Sequence, residues 1–255
     1  MDFPGRDGAR LAYEEAGSGR PLIFIHGHQE RGSCWVDSGL ARRLAQRGHR
    51  VIMPDLRGHG NSTKSHDAAS YPRDVLADDG LALVDHLGLT DYDLAGHSLG
   101  GRTVIRMLVR GAVPRRAVVS GQGLDGIMHG ADRDRTAWYR DYFRGFGTGV
   151  FEPGSDELET EDWLRSIDEN ADPQALLLAL GSWVNTTPEE MSAIMTPVLV
   201  LTGADEIGNK TAEALAEAFP HGRYAEMPGD HFTAKESREF EEALSSFLAP
   251  TRNDS

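Results

Sequence analysis

Cysteine is nearly absent from this chain: its 255 residues include one, Cys34. An intramolecular disulfide is thereby excluded, and the fold does not depend on an oxidising compartment. Clustered Cys/His spacing of the kind that holds zinc is missing as well. No apolar run approaches the ~20 residues that span a bilayer. The opening residues, MDFPGRDGARLAYEEAG, lack the apolar stretch of a secretory signal. The expected address is therefore the cytoplasm, and no membrane partner is expected. Positive charge is scarce too. The 26 Lys+Arg against 40 Asp+Glu leave a formal net charge of −14, a field that repels nucleic acid and anionic surfaces. Neither a Walker loop nor a strand-following G-x-G-x-x-G occurs, and no cofactor or metal is implied. Internal repeats and low-complexity tracts are absent. What remains is an ordinary globular composition, 39% hydrophobic and 26% charged, in a chain long enough for one large α/β domain or two small ones.

The hydrophobic pattern alternates between strand and helix. Residues 10–15 read as a strand, and PLIFI at 21–25 is a short continuous apolar run of the kind that is buried on both faces of a sheet. Amphipathic spacing predicts a helix over 37–46. VIMP from Val51 is the next strand, followed by the polar, Gly-rich loop DLRGHGNSTKSHD. Pro72 is suited to open a helix over 73–87, with apolar positions at Val75, Leu76, Leu83, Val84 and Leu87, and Gly88 closes it. A strand at 92–96, a helix at 102–110 and a strand at 116–120 follow. Between about 121 and 195 the alternation stops. Helical pieces at 135–143, 161–167 and 173–180, rich in charge and carrying Trp138, Trp163 and Trp183, predict a small helical insertion. The alternation resumes with PVLVLTG from Pro197, a helix at 211–219, a strand at 223–227 and a last helix at 235–248. Strands alternating with helices predict a mostly parallel sheet covered on both faces.

The strongest chemical signal is GHSLGG at 96–101. It is a G-x-S-x-G pattern placed where a strand meets a helix. A serine at such a junction sits on a tight, strained turn, and the flanking glycines allow close backbone packing. Its hydroxyl emerges at the helix N-terminus, where the N–H of Leu99 and the positive end of the helix dipole can meet an oxyanion.

From these residues onward the chain resembles the α/β-hydrolase family over almost its whole length. IFIHGH at 23–28 is similar to the family's His-Gly turn after the third strand. DLRGHGNS at 55–62 resembles the loop after the fourth strand, LTGADE at 201–206 the acid-bearing strand end, and PGDHF at 228–232 the turn that carries the histidine. The order nucleophile, acid, histidine is the one this fold uses. The resemblance implies an α/β fold with a mostly parallel sheet flanked by helices, a core of residues 1–123 and 192–255, and a helical cap at 124–191. It also implies a cofactor-free hydrolase that acts on an ester-like bond (carboxylic ester, lactone or thioester) of a small molecule. An alternative on the same scaffold is a non-hydrolytic or C–C bond-cleaving enzyme. A serine at the elbow argues against haloalkane dehalogenases and epoxide hydrolases, which carry aspartate there. A binding protein that has lost catalysis is a third reading, disfavoured by the complete motif set.

Residue by residue, Ser98 is the candidate nucleophile. His231 is the candidate base, because a serine hydroxyl needs a proton acceptor that works near neutral pH. The family's acid position, G-x-x-D, falls on Glu206 here, with Asp205 one residue early. Either can orient the imidazole, and Asp125 after the preceding strand is a further alternative. By resemblance the oxyanion hole takes the N–H groups of His28 and Leu99, with His26 bracing the loop, Gly27 allowing the turn and the His28 side chain at the pocket rim. Cys34 is expected to act as a small packed hydrophobe. Trp35 is open between core and pocket wall. Trp138, Tyr139, Tyr142, Phe143, Phe146 and Trp183 are candidates for the inner surface of the cap.

Overall fold

The computed structural model describes residues 1–132 and 171–249. Eight strands form one sheet in the order β1-β2-β4-β3-β5-β6-β7-β8. They are β1 (Asp2–Pro4), β2 (Arg10–Gly17), β3 (Arg20–Ile25), β4 (His49–Pro54), β5 (Asp93–His97), β6 (Ala117–Ser120), β7 (Val198–Gly203) and β8 (Gly222–Met227). β1 and β2 pair antiparallel, as do β2 and β4, and every other pairing is parallel. From β3 the chain runs first to β4 on one side and then back to β5 on the other. The strand order therefore reverses at β3 and β5, and their carboxyl ends flank a crevice of the kind where ligands bind in open α/β sheets.

Alternation along the central strands sorts side chains onto two faces. Ile23, Ile25, Leu94, Val119 and Val200 point to one core; Leu22, Phe24, Ala95, Val118 and Leu201 point to the other. The first is covered by α3 (Val75–His86) and α4 (Leu99–Val109), the second by α1 (Cys34–Asp37) and α2 (Leu40–Gln46). Farther along lie α5 (Leu124–His129) on the first face, α6 (Pro173–Gly181) in a separate small cluster with Tyr71, α7 (Pro188–Ser192) and α8 (Ala212–Glu217) on the first face, and α9 (Arg238–Leu248) on the second. Each large apolar side chain taken fully out of water contributes about 2 kcal/mol. The continuous apolar strands are thus explained by burial on both sides. Trp35 belongs to the second core, stacked on Phe24 at 3.9 Å between ring centres.

Several boundaries differ from the pattern reading, each for a local reason. β1 was not expected, since three residues pairing at a sheet edge carry no periodic signal. The helix expected over 37–46 begins three residues later, at Leu40, because Gly39 takes a left-handed φ of 75° ahead of it, and Asp37 instead closes the short α1. Pro72 does not open α3: the chain turns through it, Asp74 adopts φ 64°, and the helix begins at Val75. α4 begins at Leu99 rather than Arg102, so Gly100 and Gly101 lie inside it. The last helix starts at Arg238, where the Ser237 side chain accepts from the Phe240 N–H. In the insertion, α6 agrees with the expected helix at 173–180, and α5 and α7 are additional. The expected helices at 135–143 and 161–167, with Trp138, Tyr139, Tyr142, Phe143, Phe146 and Trp163, lie outside the described residues. Among the described residues no helix is long and apolar enough to cross a membrane.

The loop after β4 is fixed by buried polar bonds. Asp55 accepts from the Gly32 and Asn61 N–H groups at 2.7 and 2.8 Å. Arg57, 1% exposed, donates twice to Asp79 on α3 at 2.8 and 2.9 Å, twice to Asp7, and once to the Ser70 carbonyl. These bonds use all five guanidinium donors, which is the condition under which burying a charge is tolerable. Replacing Arg57 by Met leaves Asp79 buried without its cation. We expect a loss of about 3 kcal/mol or more in urea unfolding at pH 7, whereas an unchanged unfolding midpoint would show that Arg57 does not brace this loop.

Candidate active site

Ser98 follows β5 and precedes the first residue of α4. Its backbone, φ 53° and ψ −116°, lies in a region that a residue with a Cβ rarely enters. Such strain, of order 1–3 kcal/mol, persists only where the surroundings fix it. Here they do. A Cβ on Gly100 would lie 2.3 Å from the Ile25 carbonyl oxygen, and one on Gly96 would lie 2.3 Å from the Gly100 carbonyl oxygen. The first turn of α4 therefore rests directly on the backbones of β3 and β5. The Ser98 N–H donates to the Ser120 carbonyl at 2.8 Å, and the Gln122 side-chain amide donates to the Ser98 carbonyl at 2.7 Å. Gln122 carried no sequence signal, because its role arises only where β6 ends beside β5.

His231 lies in the turn after β8 and is 4% exposed. Its Nε2 is 3.0 Å from Ser98 Oγ, and its Nδ1 hydrogen-bonds to Oε1 of Glu206. The turn is held by Asp230, whose carboxylate accepts from the N–H groups of Phe232 and Thr233 at 3.0 and 2.9 Å. Glu206 follows β7 and is buried. Thr202 Oγ1 donates to its Oε2 at 2.9 Å, and the Asn209 amide donates to Oε1. Burial pushes the Glu206 carboxyl up, but the hydrogen bond and charge of His231, with the bonds from Asn209 and Thr202, outweigh it and hold the group below its ordinary value. Asp205 is exposed and joins the fold through its main-chain N–H, bonded to the Gly229 carbonyl. Asp125 sits exposed in the first turn of α5. Of the three candidate acids, Glu206 is the one brought to the imidazole. Thr202 and Asn209 were not singled out as donors in the sequence, and only the spacing of Asn209, three residues after Glu206, hints at its part.

The loop after β3 meets Ser98 from the other side: a Cβ on Gly27 would lie 3.4 Å from Ser98 Cβ. His26 is fully buried, with Nδ1 2.7 Å from the Gly27 carbonyl oxygen and Nε2 accepting from the Leu56 N–H at 3.0 Å. Its Nδ1–H therefore donates to Gly27, in a neutral ring that braces the loop as expected. Because the peptide unit is planar and trans, holding the Gly27 carbonyl also sets the direction of the His28 N–H. The N–H of Leu99, in the first turn of α4, has no carbonyl one turn back to bind. The His28 side chain departs from expectation. It is 7% exposed, packed edge-on to the His59 ring at 5.5 Å, and not at a rim. Cys34 is partly buried against the second core, and burial raises its thiol well above the ordinary value, consistent with a packed side chain. Trp183 stacks on the Arg102 guanidinium at 4.5 Å, which ties residues after α6 to α4.

A mostly parallel eight-stranded sheet, a strained serine between β5 and α4, and an imidazole and a carboxylate delivered by the ends of β8 and β7 define the α/β-hydrolase class. The model of the alpha/beta hydrolase family matches residues 22–243, and the chain belongs to that family of enzymes. It is 33% identical over 253 residues to a non-heme haloperoxidase of Rhodococcus erythropolis, covering 88% of this chain and 89% of the relative. It is 28% identical over 255 residues to a bifunctional esterase/perhydrolase of Acinetobacter calcoaceticus, covering 85% and 91%. A hydrolase from Pseudomonas aeruginosa superposes with a TM-score of 0.78 over 98% of both chains at 22% identity.

The buried histidines give the site a pH liability. Burial lowers the imidazoles of His26, His59 and His97 and pushes that of His28 down to about 3. The unfolded chain binds these protons below about pH 6.5 while the folded one does not, so stability falls as pH drops through and below that value. His28 alone costs about 2 kcal/mol by pH 5. Urea unfolding at pH 7.5 and 5.0 should show a loss on this order, and equal stabilities at the two values would contradict the buried, neutral state.

Proposed function

We propose that this enzyme is a serine hydrolase that cleaves an ester-like bond of a small molecule (a carboxylic ester, lactone or thioester) through an acyl-enzyme. One observation carries the reading: Ser98 Oγ lies 3.0 Å from His231 Nε2, whose other nitrogen is bonded to the buried Glu206. A hydroxyl becomes a competent nucleophile when a base within hydrogen-bond reach takes its proton, and the base works when a third group fixes its tautomer and orientation. The crevice at the reversal of strand order supports a substrate position beside the serine. The names of relatives that cleave esters support the bond type.

In this reading Ser98 Oγ attacks the carbonyl carbon while its proton passes to His231 Nε2. Charge develops on the carbonyl oxygen, and in this reading the N–H groups of Leu99 and His28 stabilise it. The bond to the leaving group breaks as His231 returns the proton to it. Water, deprotonated by His231, then attacks the acyl-enzyme and frees Ser98. Glu206 holds Nδ1 protonated and stabilises the imidazolium that forms in each half-reaction. Residues 124–191 would serve as a helical cap over the carboxyl edge of the sheet and shape the pocket, with the core in residues 1–123 and 192–255.

A fluorophosphonate probe should label the wild-type chain and leave Ser98→Ala unlabelled; labelling of the variant at the wild-type rate refutes the nucleophile. A panel of p-nitrophenyl esters separates the bond types: a chain that labels yet turns over none of them points instead to the non-hydrolytic or C–C bond-cleaving alternative.

The choice of acid is tested by substitution. Glu206→Gln preserves the shape but no longer stabilises the imidazolium, and kcat should fall on the order of 10⁴-fold. Asp205→Asn, at an exposed position, should leave kcat within about twofold. The opposite ranking in steady-state kinetics would move the role to Asp205.

A further inference from the structure

The turn bearing His231 and the loop bearing His28 are far apart in sequence, with 205 residues between the positions of Glu30 and Lys235, and belong to opposite sides of the site. One ion pair joins them. Glu30 lies two residues after His28; its Oε2 accepts from the Gly27 N–H at 2.9 Å, and its Oε1 is bonded to Nζ of Lys235. Lys235 is 8% exposed and lies 5.5 Å over the ring of the buried Trp35. It is fixed to the His231 turn at short range. Asp230 accepts from Phe232 and Thr233, the Ala234 N–H donates to the Asp230 carbonyl at 3.0 Å, and residues Ala234–Glu236 form a single tight turn. Neither partner is required for proton transfer or for the nucleophile.

A largely buried ion pair of this kind is weak evidence of added stability, because desolvation offsets much of the attraction. Its retention is better explained by what it fixes. The Glu30 carboxylate holds the His26–Gly27 peptide, while His26 Nδ1–H holds the carbonyl of the next peptide, which carries the His28 N–H. Two successive peptide planes are thereby set, one of them from across the site. Burial raises the Glu30 carboxyl, but the charge and hydrogen bond of Lys235 outweigh this and keep it ionised at neutral pH.

We propose that Glu30 and Lys235 are positioning residues, an ionic strap that sets the placement of the His28 main-chain donor relative to the His231 imidazole. The proposal rests on the serine-hydrolase reading given above. Loss of the strap leaves the serine, imidazole and acid in place but relaxes the oxyanion donor, and misplacement of a preorganised group by a fraction of an ångström slows reaction by roughly tenfold or more.

The test is the second-order rate of labelling by a fluorophosphonate probe, together with the final labelled fraction, for wild type, Glu30→Gln, Lys235→Met and the double variant. Each single variant should label roughly tenfold more slowly to the same final stoichiometry, and the double variant should be no slower than the slower single one, because both remove the same contact. Wild-type rates in both single variants, losses that multiply in the double variant, or a loss confined to the labelled fraction in step with unfolding would each overturn the strap. Failure of the wild type itself to label would instead overturn the nucleophile assignment.

Discussion

Two backbones meet at this site with no side chain between them, and the rest of the arrangement depends on that approach. Gly100 brings the first turn of α4 against the Ile25 and His26 carbonyls. A Cβ there would push the helix away from the end of β3. The N–H of Leu99 would then part from the loop carrying His28, and the backbone of Ser98 would lose the constraint that keeps it at φ 53°. The strain at Ser98 and the contact at Gly100 are therefore one feature: the helix can press on the strand only if the preceding residue turns sharply, and that turn lifts the serine hydroxyl out of the sheet.

Around this contact the protein braces the loops that flank the reactive groups with hydrogen bonds from buried polar side chains. Asp55 and Arg57 fix the loop after β4, and His26 fixes the loop after β3, with Leu56 as the link between the two. Rigid loops matter because hydrogen bonds aimed at a developing charge act only if they are in place beforehand. The stability consequence follows from the same burial. Imidazoles held neutral near the site make the fold acid-sensitive, so the same packing that positions the loop narrows the pH range in which it stays folded.

Much of this was legible in the sequence because it is carried by local constraints. A serine between glycines at a strand–helix junction has few other uses, and GDH after the last strand brings a histidine to the same sheet edge. Burial on both faces made the central strands readable as apolar runs. What was not legible depends on contacts distant in sequence or on single backbone angles. β1 has three residues and no pattern, and the φ of Gly39 sets a helix start that side-chain periodicity alone places earlier. Asn209, Gln122 and the partnership of Glu30 with Lys235 are ordinary polar residues until folding brings them together. The side chain of His28 was read from its position at a loop end, whereas neighbours from the β4 loop decide its burial.

The choice between Asp205 and Glu206 shows where residue type stops being informative. Both are carboxylates, adjacent, at the end of the same strand, and aspartate is the family's residue at the acid position. Gly203 to Glu206 form a tight turn, with the Glu206 N–H donating to the Gly203 carbonyl at 3.1 Å, and this turn leaves Asp205 exposed and Glu206 buried. The Ala204 and Asp205 N–H groups donate to the carbonyls of Met227 and Gly229, which ties the turn to the end of β8 and leaves the next residue buried. That residue is Glu206, one methylene longer than aspartate, with a further rotor to immobilise. Thr202 holds one of its oxygens and Asn209 the other. The turn thus selects the position, and the two donors compensate for the added length by fixing a side chain that would otherwise have several orientations. Which carboxylate meets His231 is consequently a property of the β7 turn and its donors, so that moving an aspartate into position 206 without repacking Asn209 would shorten the reach to His231 rather than restore the family's geometry.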